Sequence, residues 1–122
     1  MKRFFAVSVM LALLVPVLAL AAGKITEAKL GKHVDDRKVA DESSVFAPGE
    51  KAYLWMIVDD AAGETLTVTW EINGQSYPAK LKIGGSPWRT WARKSLHIAG
   101  EWTVTVTDMA GAKLHESKLT VQ

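Results

Sequence analysis

The clearest pattern in the chain is a strict alternation of apolar and polar residues over positions 65–72. One face carries four apolar side chains, Leu66, Val68, Trp70 and Ile72. This period of two is typical of a β-strand with one buried face. The dipeptide Asn73-Gly74 follows directly and is a strong signal for a two-residue hairpin turn. We therefore predict a hairpin over residues 65–82.

The register of this hairpin follows from the turn. A two-residue turn brings three apolar pairs together on one face: Trp70 with Tyr77, Val68 with Ala79, and Leu66 with Leu81. In that register the missing N–H of Pro78 would point away from the first strand. We therefore predict that the return strand lies at a sheet edge, with Lys80 and Lys82 pointing outward.

A second strand is predicted at the run YLWMIV, which spans Tyr53–Val58 and is bounded by charged residues. Six apolar residues in succession indicate a strand with both faces covered. One face would hold Tyr53, Trp55 and Ile57, and the other Leu54, Met56 and Val58. Only one face meets the core of a two-layer sandwich. A loop, the N-terminal segment or a partner must cover the second face, and we favour coverage by the chain itself.

A third strand is indicated by alternation over residues 102–107, with Trp102 as a core residue. The following Asp108–Gly111 suits a type I turn with a left-handed glycine. A three-residue loop would place Val106 opposite Leu114. The later apolar residues Leu119 and Val121 are then out of phase, so either a bulge follows Leu114 or the register differs.

The remaining segments carry weaker patterns. Residues 24–34 fit a first strand at a sheet edge. Residues 35–50 are polar, include the turn dipeptide Pro48-Gly49, and are expected to form a solvated loop from which Val45 and Phe46 reach the core. No stretch of the mature chain has a helical period. The pattern as a whole predicts an all-β fold, an antiparallel β-sandwich of the immunoglobulin-like type.

The N-terminal residues 1–21 have the features of a secretory signal peptide. A basic start is followed by an apolar run and by the small residues Ala19-Leu20-Ala21. The alternative is a single transmembrane anchor, but the short run and Pro16 favour cleavage. We expect a single β-sandwich domain over residues 22–122, periplasmic or secreted, with no stable membrane insertion after cleavage.

Removal of this segment changes the charge balance. The full chain has 15 Lys and Arg against 13 Asp and Glu, and cleavage removes Lys2 and Arg3. The mature domain then carries no net charge, so the basic balance gives no support to nucleic acid as a partner. The chain has no cysteine and thus no disulfide, so burial of its aromatic residues must stabilise the core.

Residue types with catalytic or metal-binding chemistry are sparse. No serine lies in a Gly-x-Ser-x-Gly context, and His33, His97 and His115 show no metal-ligand spacing. A blue-copper site needs a cysteine thiolate, and a His/Met copper site using Met56 or Met109 has nothing else to support it. The sequence therefore favours a protein that is not an enzyme and that has no metal or other cofactor.

One constellation does suggest binding, the segment WRTWARK at residues 88–94. On an extended chain Arg89, Trp91 and Arg93 share a face, whereas Lys94 falls on the opposite one. Guanidinium groups beside an indole bind carboxylate or sulfate, and indoles also stack on sugar rings. The predicted binding patch is Arg89, Trp91, Arg93 and Lys94. Its ligand would be an acidic glycan, a peptidoglycan fragment or an acidic loop of a protein partner.

A purely structural interpretation of this segment is the alternative. Trp88 would close one end of the sandwich, and Arg89 would pair with Asp59, Asp60 or Glu101. We favour that role for Trp88 and leave both interpretations open for Trp91 with Arg93. At the level of the whole domain, the alternative to a binding module is a structural or assembly domain. Such a domain would act through its sheet edges and the apolar second face of residues 53–58.

The chain also resembles a bacterial family, the domain of unknown function 2914. The matching segments are 34–37 (VDDR), Phe46, 53–55 (YLW), Trp70, 73–74 (NG), 84–89 (GGSPWR), 94–96 (KSL), 100–104 (GEWTV), Asp108 and Gly111. The resemblance implies a β-sandwich module of a kind often found at the C-terminus of larger exported or membrane-tethered proteins. It implies no activity, ligand or catalytic residue.

Overall fold

Nine β-strands form two sheets in the computed structural model, which describes residues 23–122; the predicted signal peptide lies outside this range. The strands are β1 (Lys24–Asp35), β2 (Lys38–Glu42), β3 (Val45–Phe46), β4 (Lys51–Asp59), β5 (Thr65–Ile72), β6 (Gln75–Lys82), β7 (Trp88–Ser95), β8 (Gly100–Thr107) and β9 (Lys113–Val121). No helix long and apolar enough to cross a membrane occurs in this part of the chain.

The strand order identifies the topology. One sheet has the order β2-β1-β4-β7 and the other β3-β9-β8-β5-β6. All pairings are antiparallel except that of β3 with β9. The strands β1-β4-β7 and β9-β8-β5-β6 correspond to strands A-B-E and G-F-C-C′ of the immunoglobulin fold. The prediction of an antiparallel, immunoglobulin-like sandwich is therefore confirmed.

The core lies between the two sheets and follows the predicted alternation. On β4, Leu54, Met56 and Val58 are fully buried, and all four predicted apolar residues of β5 are buried as well. The two largest core side chains are Trp70 on β5 and Trp102 on β8. The indole N–H of Trp102 donates to the carbonyl of Ile98 at 2.9 Å, whereas that of Trp70 has no acceptor among residues 23–122.

The β5–β6 hairpin has the predicted register. Trp70 lies opposite Tyr77, Val68 opposite Ala79 and Leu66 opposite Leu81. Asn73 and Gly74 both have positive φ, 49° and 80°, which is the geometry of a type I′ turn. β6 ends the five-stranded sheet, and Pro78, Lys80 and Lys82 are exposed. The predicted sheet edge is therefore confirmed.

The pairing of β8 with β9 differs from the prediction by one residue. The turn itself is as expected, with Asp108 N–H donating to Ala112 C=O at 3.0 Å and Gly111 at φ 89°. Thr107 lies opposite Lys113, but Val106 lies opposite His115. Leu114 is thus the extra residue of a bulge, and placing it opposite Val106 was wrong. Because the bulge shifts the alternation by one residue, Leu119 and Val121 face the core, where both are buried.

The segment 35–50 is more ordered than the predicted loop. It contains β2, which pairs with the second half of β1 through a turn at Asp36 and Arg37, both at positive φ. The first half of β1 pairs with β4 and has no strand of residues 23–122 on its other side, so the predicted sheet edge is found there. Phe46 is buried as predicted, but Val45 is 46% exposed. Adjacent residues of an extended strand point to opposite faces, so only one of the two reaches the core.

Candidate functional site

Three of the four predicted patch residues lie together on the outer face of β7. Arg89, Trp91 and Arg93 alternate along this strand, and all three are exposed, Trp91 by 36%. The neighbouring strand β4 contributes the residues opposite them, which are Ile57, Trp55 and Tyr53 respectively. The site is therefore a row of two guanidinium groups flanking an indole, beside a row of aromatic and aliphatic side chains. We call Arg89, Trp91 and Arg93 the β7 row.

Lys94 does not belong to this surface. It lies on the opposite face of β7, and its ammonium group sits over the ring of Tyr77, 4.2 Å from the centroid. Ala92, two residues earlier on the same face, is buried in the core. Lys94 therefore links β7 to β6 of the second sheet. The predicted patch shrinks to the β7 row, because the period of two separates Lys94 from its neighbours in sequence.

Neither arginine of the β7 row forms an ion pair with another residue in the range 23–122. The pairing of Arg89 with Asp59, Asp60 or Glu101, expected if its role were structural, is absent there. Asp60 instead lies 4.0 Å from the ammonium group of Lys24. Both guanidinium groups thus retain their donors for a ligand, since five N–H groups of arginine are available for bidentate binding of carboxylate or sulfate.

Trp88 has a different environment from Trp91. Its ring lies against the backbone of the β6–β7 connection, since a Cβ at Gly84 would approach within 2.8 Å of the ring and one at Gly85 within 3.4 Å. The indole packs on this connection while 38% of the residue stays exposed. This packing requires a glycine at position 84 and gives Trp88 a structural contact with the connection, although Trp88 lies outside the core cluster and is about as exposed as Trp91.

The hairpin of β1 and β2 covers the outer face of β4. The indole N–H of Trp55 donates to the carbonyl of Arg37 in the hairpin turn at 2.9 Å, and Trp55 is only 5% exposed. The chain bends at Gly31, where an added Cβ would overlap Val39 Cγ2 and lie 2.9 Å from the Ala40 carbonyl oxygen. Coverage of the second face of β4 by the chain itself is therefore confirmed at Trp55.

The same hairpin brings further cations to one end of the β7 row. Arg37 and Arg89 line one shallow depression, and Lys38 and Arg89 line another. The second depression also contains Lys29, which pairs with its neighbour Glu27 at 3.3 Å. Arg37 and Lys38 are not predicted from the sequence as part of this site, because they lie about fifty residues before β7. No local signal in the sequence connects them with it.

Histidines and carboxylates do not assemble into a metal site in the described range, where no group of three or more potential ligands occurs. His33 pairs with the Asp41 carboxylate at 3.5 Å. His115 lies 2.6 Å from the Ser117 hydroxyl. Burial lowers the pKa of His115 below its ordinary value, with an opposing effect from the nearby Glu116 carboxylate. Neither histidine lies on the β7 row.

A protein-family model matches the second half of the chain. The family model described as "Protein of unknown function (DUF2914)" matches residues 63–121. The chain resembles the DUF2914 family. The matched range contains β5 to β9 and therefore the whole β7 row. No curated protein matches the chain by sequence.

Solved structures resemble the domain in its fold. The alkylpurine DNA glycosylase AlkC of Pseudomonas fluorescens, bound to DNA containing an abasic site analog, matches 84% of the chain at 16% identity with a TM-score of 0.51. The chain spans only 31% of that enzyme. A Niemann-Pick type C2 protein from the Japanese carpenter ant matches 82% of the chain and 92% of its own length, at 9% identity and a TM-score of 0.42. At these identities the first likeness concerns the fold alone, and the second TM-score is too low to add to it.

Proposed function

We propose that the protein is an exported, non-catalytic binding module and that the β7 row binds an anionic ligand. The observation that carries this proposal is the exposed indole of Trp91 between two arginines that have no ion-pair partner within residues 23–122. Exposed arginines beside an aromatic face suit carboxylate or sulfate groups. The ligand classes considered are an acidic glycan and an acidic segment of a protein partner.

The geometry favours a ligand that lies along the strand. Residues on one face of a strand are spaced by about 7 Å, so the Cα atoms of Arg89 and Arg93 lie about 13 Å apart, with Trp91 between them. An extended ligand with repeated negative charges can contact both arginines and stack a ring on Trp91 between them.

The alternative function, assembly through the apolar outer face of β4, has less support. The β1–β2 hairpin covers this face at Trp55, which retains 5% of its accessible surface. The exposed apolar patch that an assembly surface normally requires is therefore reduced. Assembly through the sheet edges is still possible in this structure, and β7 is one of these edges.

Export rests on the N-terminal sequence. The basic start, the apolar run and the Ala19-Leu20-Ala21 site support cleavage after Ala21. Expression of the full chain in a bacterial host, followed by fractionation and N-terminal sequencing, tests this. A mature protein that begins at Ala22 in the extracytoplasmic fraction is expected. An uncleaved chain retained in the cytoplasm or in the membrane would contradict the export part of the proposal.

The binding part is tested by calorimetric titration with three probes. These are a heparin-derived hexasaccharide, a hexagalacturonate and the acidic heptapeptide acetyl-TETFTET-amide. We expect at least one probe to bind, and Arg93→Gln to weaken it about tenfold, which corresponds to about 1.4 kcal/mol. Lys94→Gln is the matched control, since it removes the same charge one residue away on the opposite face. Equal effects of the two substitutions, or no binding of any probe, would refute the proposal.

A further inference from the structure

The strand that carries the β7 row is an edge of its sheet. Among the strands of residues 23–122, β7 ends the order β2-β1-β4-β7 and pairs only with β4. It is eight residues long and contains no proline. Within residues 23–122, no other segment forms backbone hydrogen bonds along its free side. An edge of this kind offers a row of unpaired N–H and C=O groups to an incoming chain.

The phase of the β4–β7 ladder decides which residues offer those groups. The N–H of Leu96 donates to the carbonyl of Glu50 at 2.9 Å, so these two form a hydrogen-bonded pair. The register continues without a shift through the strand. Alternate pairs of an antiparallel ladder are hydrogen-bonded, so the even-numbered residues of β7 bond to β4. The backbone groups of Arg89, Trp91 and Arg93 therefore face the free edge.

The other long edge at this end of the sandwich is blocked. β6 ends the second sheet, and Pro78 is positioned so that its missing N–H would face the free side, beside the exposed Lys80 and Lys82. Proline and lysine on an edge strand are common protection against pairing with another chain. β7 has no such proline. The residues whose backbone groups face its free edge are Arg89, Trp91 and Arg93, so the edge also carries two guanidinium groups and an indole.

From these placements we propose that β7 takes up an extended acidic segment of a partner protein as an additional antiparallel strand. In this arrangement the residues opposite Arg89 and Arg93 are acidic, and the residue opposite Trp91 is aromatic or large and apolar. The segment therefore has the pattern acid-x-apolar-x-acid. Backbone hydrogen bonds provide affinity and alternate side chains provide specificity, as in other cases of strand addition. The inference rests on the proposed function and names its ligand class.

The partner is a different chain and not a second copy of this one. The protein has only two acidic residues separated by four positions, Asp60 and Glu64. They flank the turn between β4 and β5, and the residue midway between them is the small Ala62. No segment of the chain therefore has the required pattern with a large apolar residue at its centre.

Strand addition makes a specific prediction about backbone groups of the partner. Residues opposite Arg89, Trp91 and Arg93 form hydrogen-bonded pairs, so their N–H groups donate to β7. The intervening residues direct their N–H groups away from β7. In the heptapeptide acetyl-TETFTET-amide, the two glutamates and the phenylalanine are the donors. N-methylation of the phenylalanine removes one such bond, whereas N-methylation of the following threonine removes none and serves as the matched control.

The experiment is calorimetric titration of the mature protein with these peptides and with the isomeric peptide acetyl-TEETFTT-amide. We expect methylation at phenylalanine to weaken binding at least tenfold, methylation at threonine to change it less than threefold, and the isomer to bind at least tenfold more weakly. Equal losses for the two methylated peptides, or equal binding of the isomer, would overturn strand addition.

Binding of the heparin or galacturonate oligomer without the peptide would overturn this inference while leaving the proposed function standing. Absence of binding by every probe would overturn both.

Discussion

Proline substitutions in β7 test which of its residues bond to β4 and which direct their backbone groups to the free edge. Ala92→Pro removes the N–H that donates to the carbonyl of Leu54, a fully buried residue. An unsatisfied buried carbonyl costs about 1–3 kcal/mol. The proline ring also adds volume at a buried position, which costs about 1–3 kcal/mol. Arg93→Pro removes an N–H that faces the free edge and leaves the ladder intact.

The restriction of φ by proline is common to both variants and largely cancels in the comparison. Ala92→Pro should therefore be at least about 2 kcal/mol less stable than Arg93→Pro, a large part of the total for a domain of this size. Urea unfolding followed by tryptophan fluorescence measures both variants. If Arg93→Pro destabilises the protein as much as Ala92→Pro, the assigned phase of β7 is wrong.

Three further predictions concern the scaffold. Gly31→Ala should lower the free energy of unfolding by about 1–3 kcal/mol, because the new Cβ displaces the β1–β2 hairpin, and it should speed hydrogen exchange at the indole N–H of Trp55. Trp102→Phe should cost more stability than Trp70→Phe in urea unfolding, because the indole N–H of Trp102 has an acceptor and that of Trp70 has none within residues 23–122. His115→Gln should reduce the loss of stability on acidification below about pH 6.5, measured as urea midpoints at several pH values.

The sign of the pH effect follows from burial. The pKa of His115 is lower in the folded protein than in the unfolded chain, mainly because burial disfavours the charged imidazolium. The unfolded state therefore binds more protons, so stability is complete above the unfolded pKa and is lost as pH falls through the folded one. His33→Gln is the control at an exposed histidine. An unchanged pH slope in His115→Gln would contradict the assignment.

The other two scaffold predictions have their own tests. Adding Val39→Ala to Gly31→Ala should recover part of the lost stability, since it removes one of the two groups that the new Cβ would approach within 3 Å. If hydrogen exchange at the indole N–H of Trp55 is as slow in Gly31→Ala as in the unsubstituted protein, the hairpin does not depend on glycine at position 31. Equal costs for the two tryptophan substitutions would show that the bond to Ile98 adds no net stability.

Elements governed by local rules were predictable from the sequence. The register of the β5–β6 hairpin follows from a two-residue turn and a strict alternation, so every predicted pair is found. The bulge at Leu114 was needed to keep Leu119 in phase with the core, although its position was not predictable from the turn. The β2 strand was missed because it is short and polar and depends on pairing with β1.

The candidate site was predictable only along a single strand. The period of two placed Arg89, Trp91 and Arg93 on one face, and the same period separates Lys94 from them. Arg37 approaches the row because the chain bends about fifty residues earlier in the sequence. The free edge of β7 depends on which strand of the sheet has no second neighbour, and this follows from the topology of the whole sandwich.

The most direct test of the β7 row as a binding surface is a titration followed in ¹H–¹⁵N correlation spectra. The acidic heptapeptide and the two anionic oligosaccharides are added in turn to the labelled mature protein. We expect the indole signal of Trp91 and the side-chain signals of Arg89 and Arg93 to shift with at least one probe, whereas the signal of the buried Trp102 indole should not shift. Shifts confined to residues away from the outer face of β7, or none at all, would contradict it.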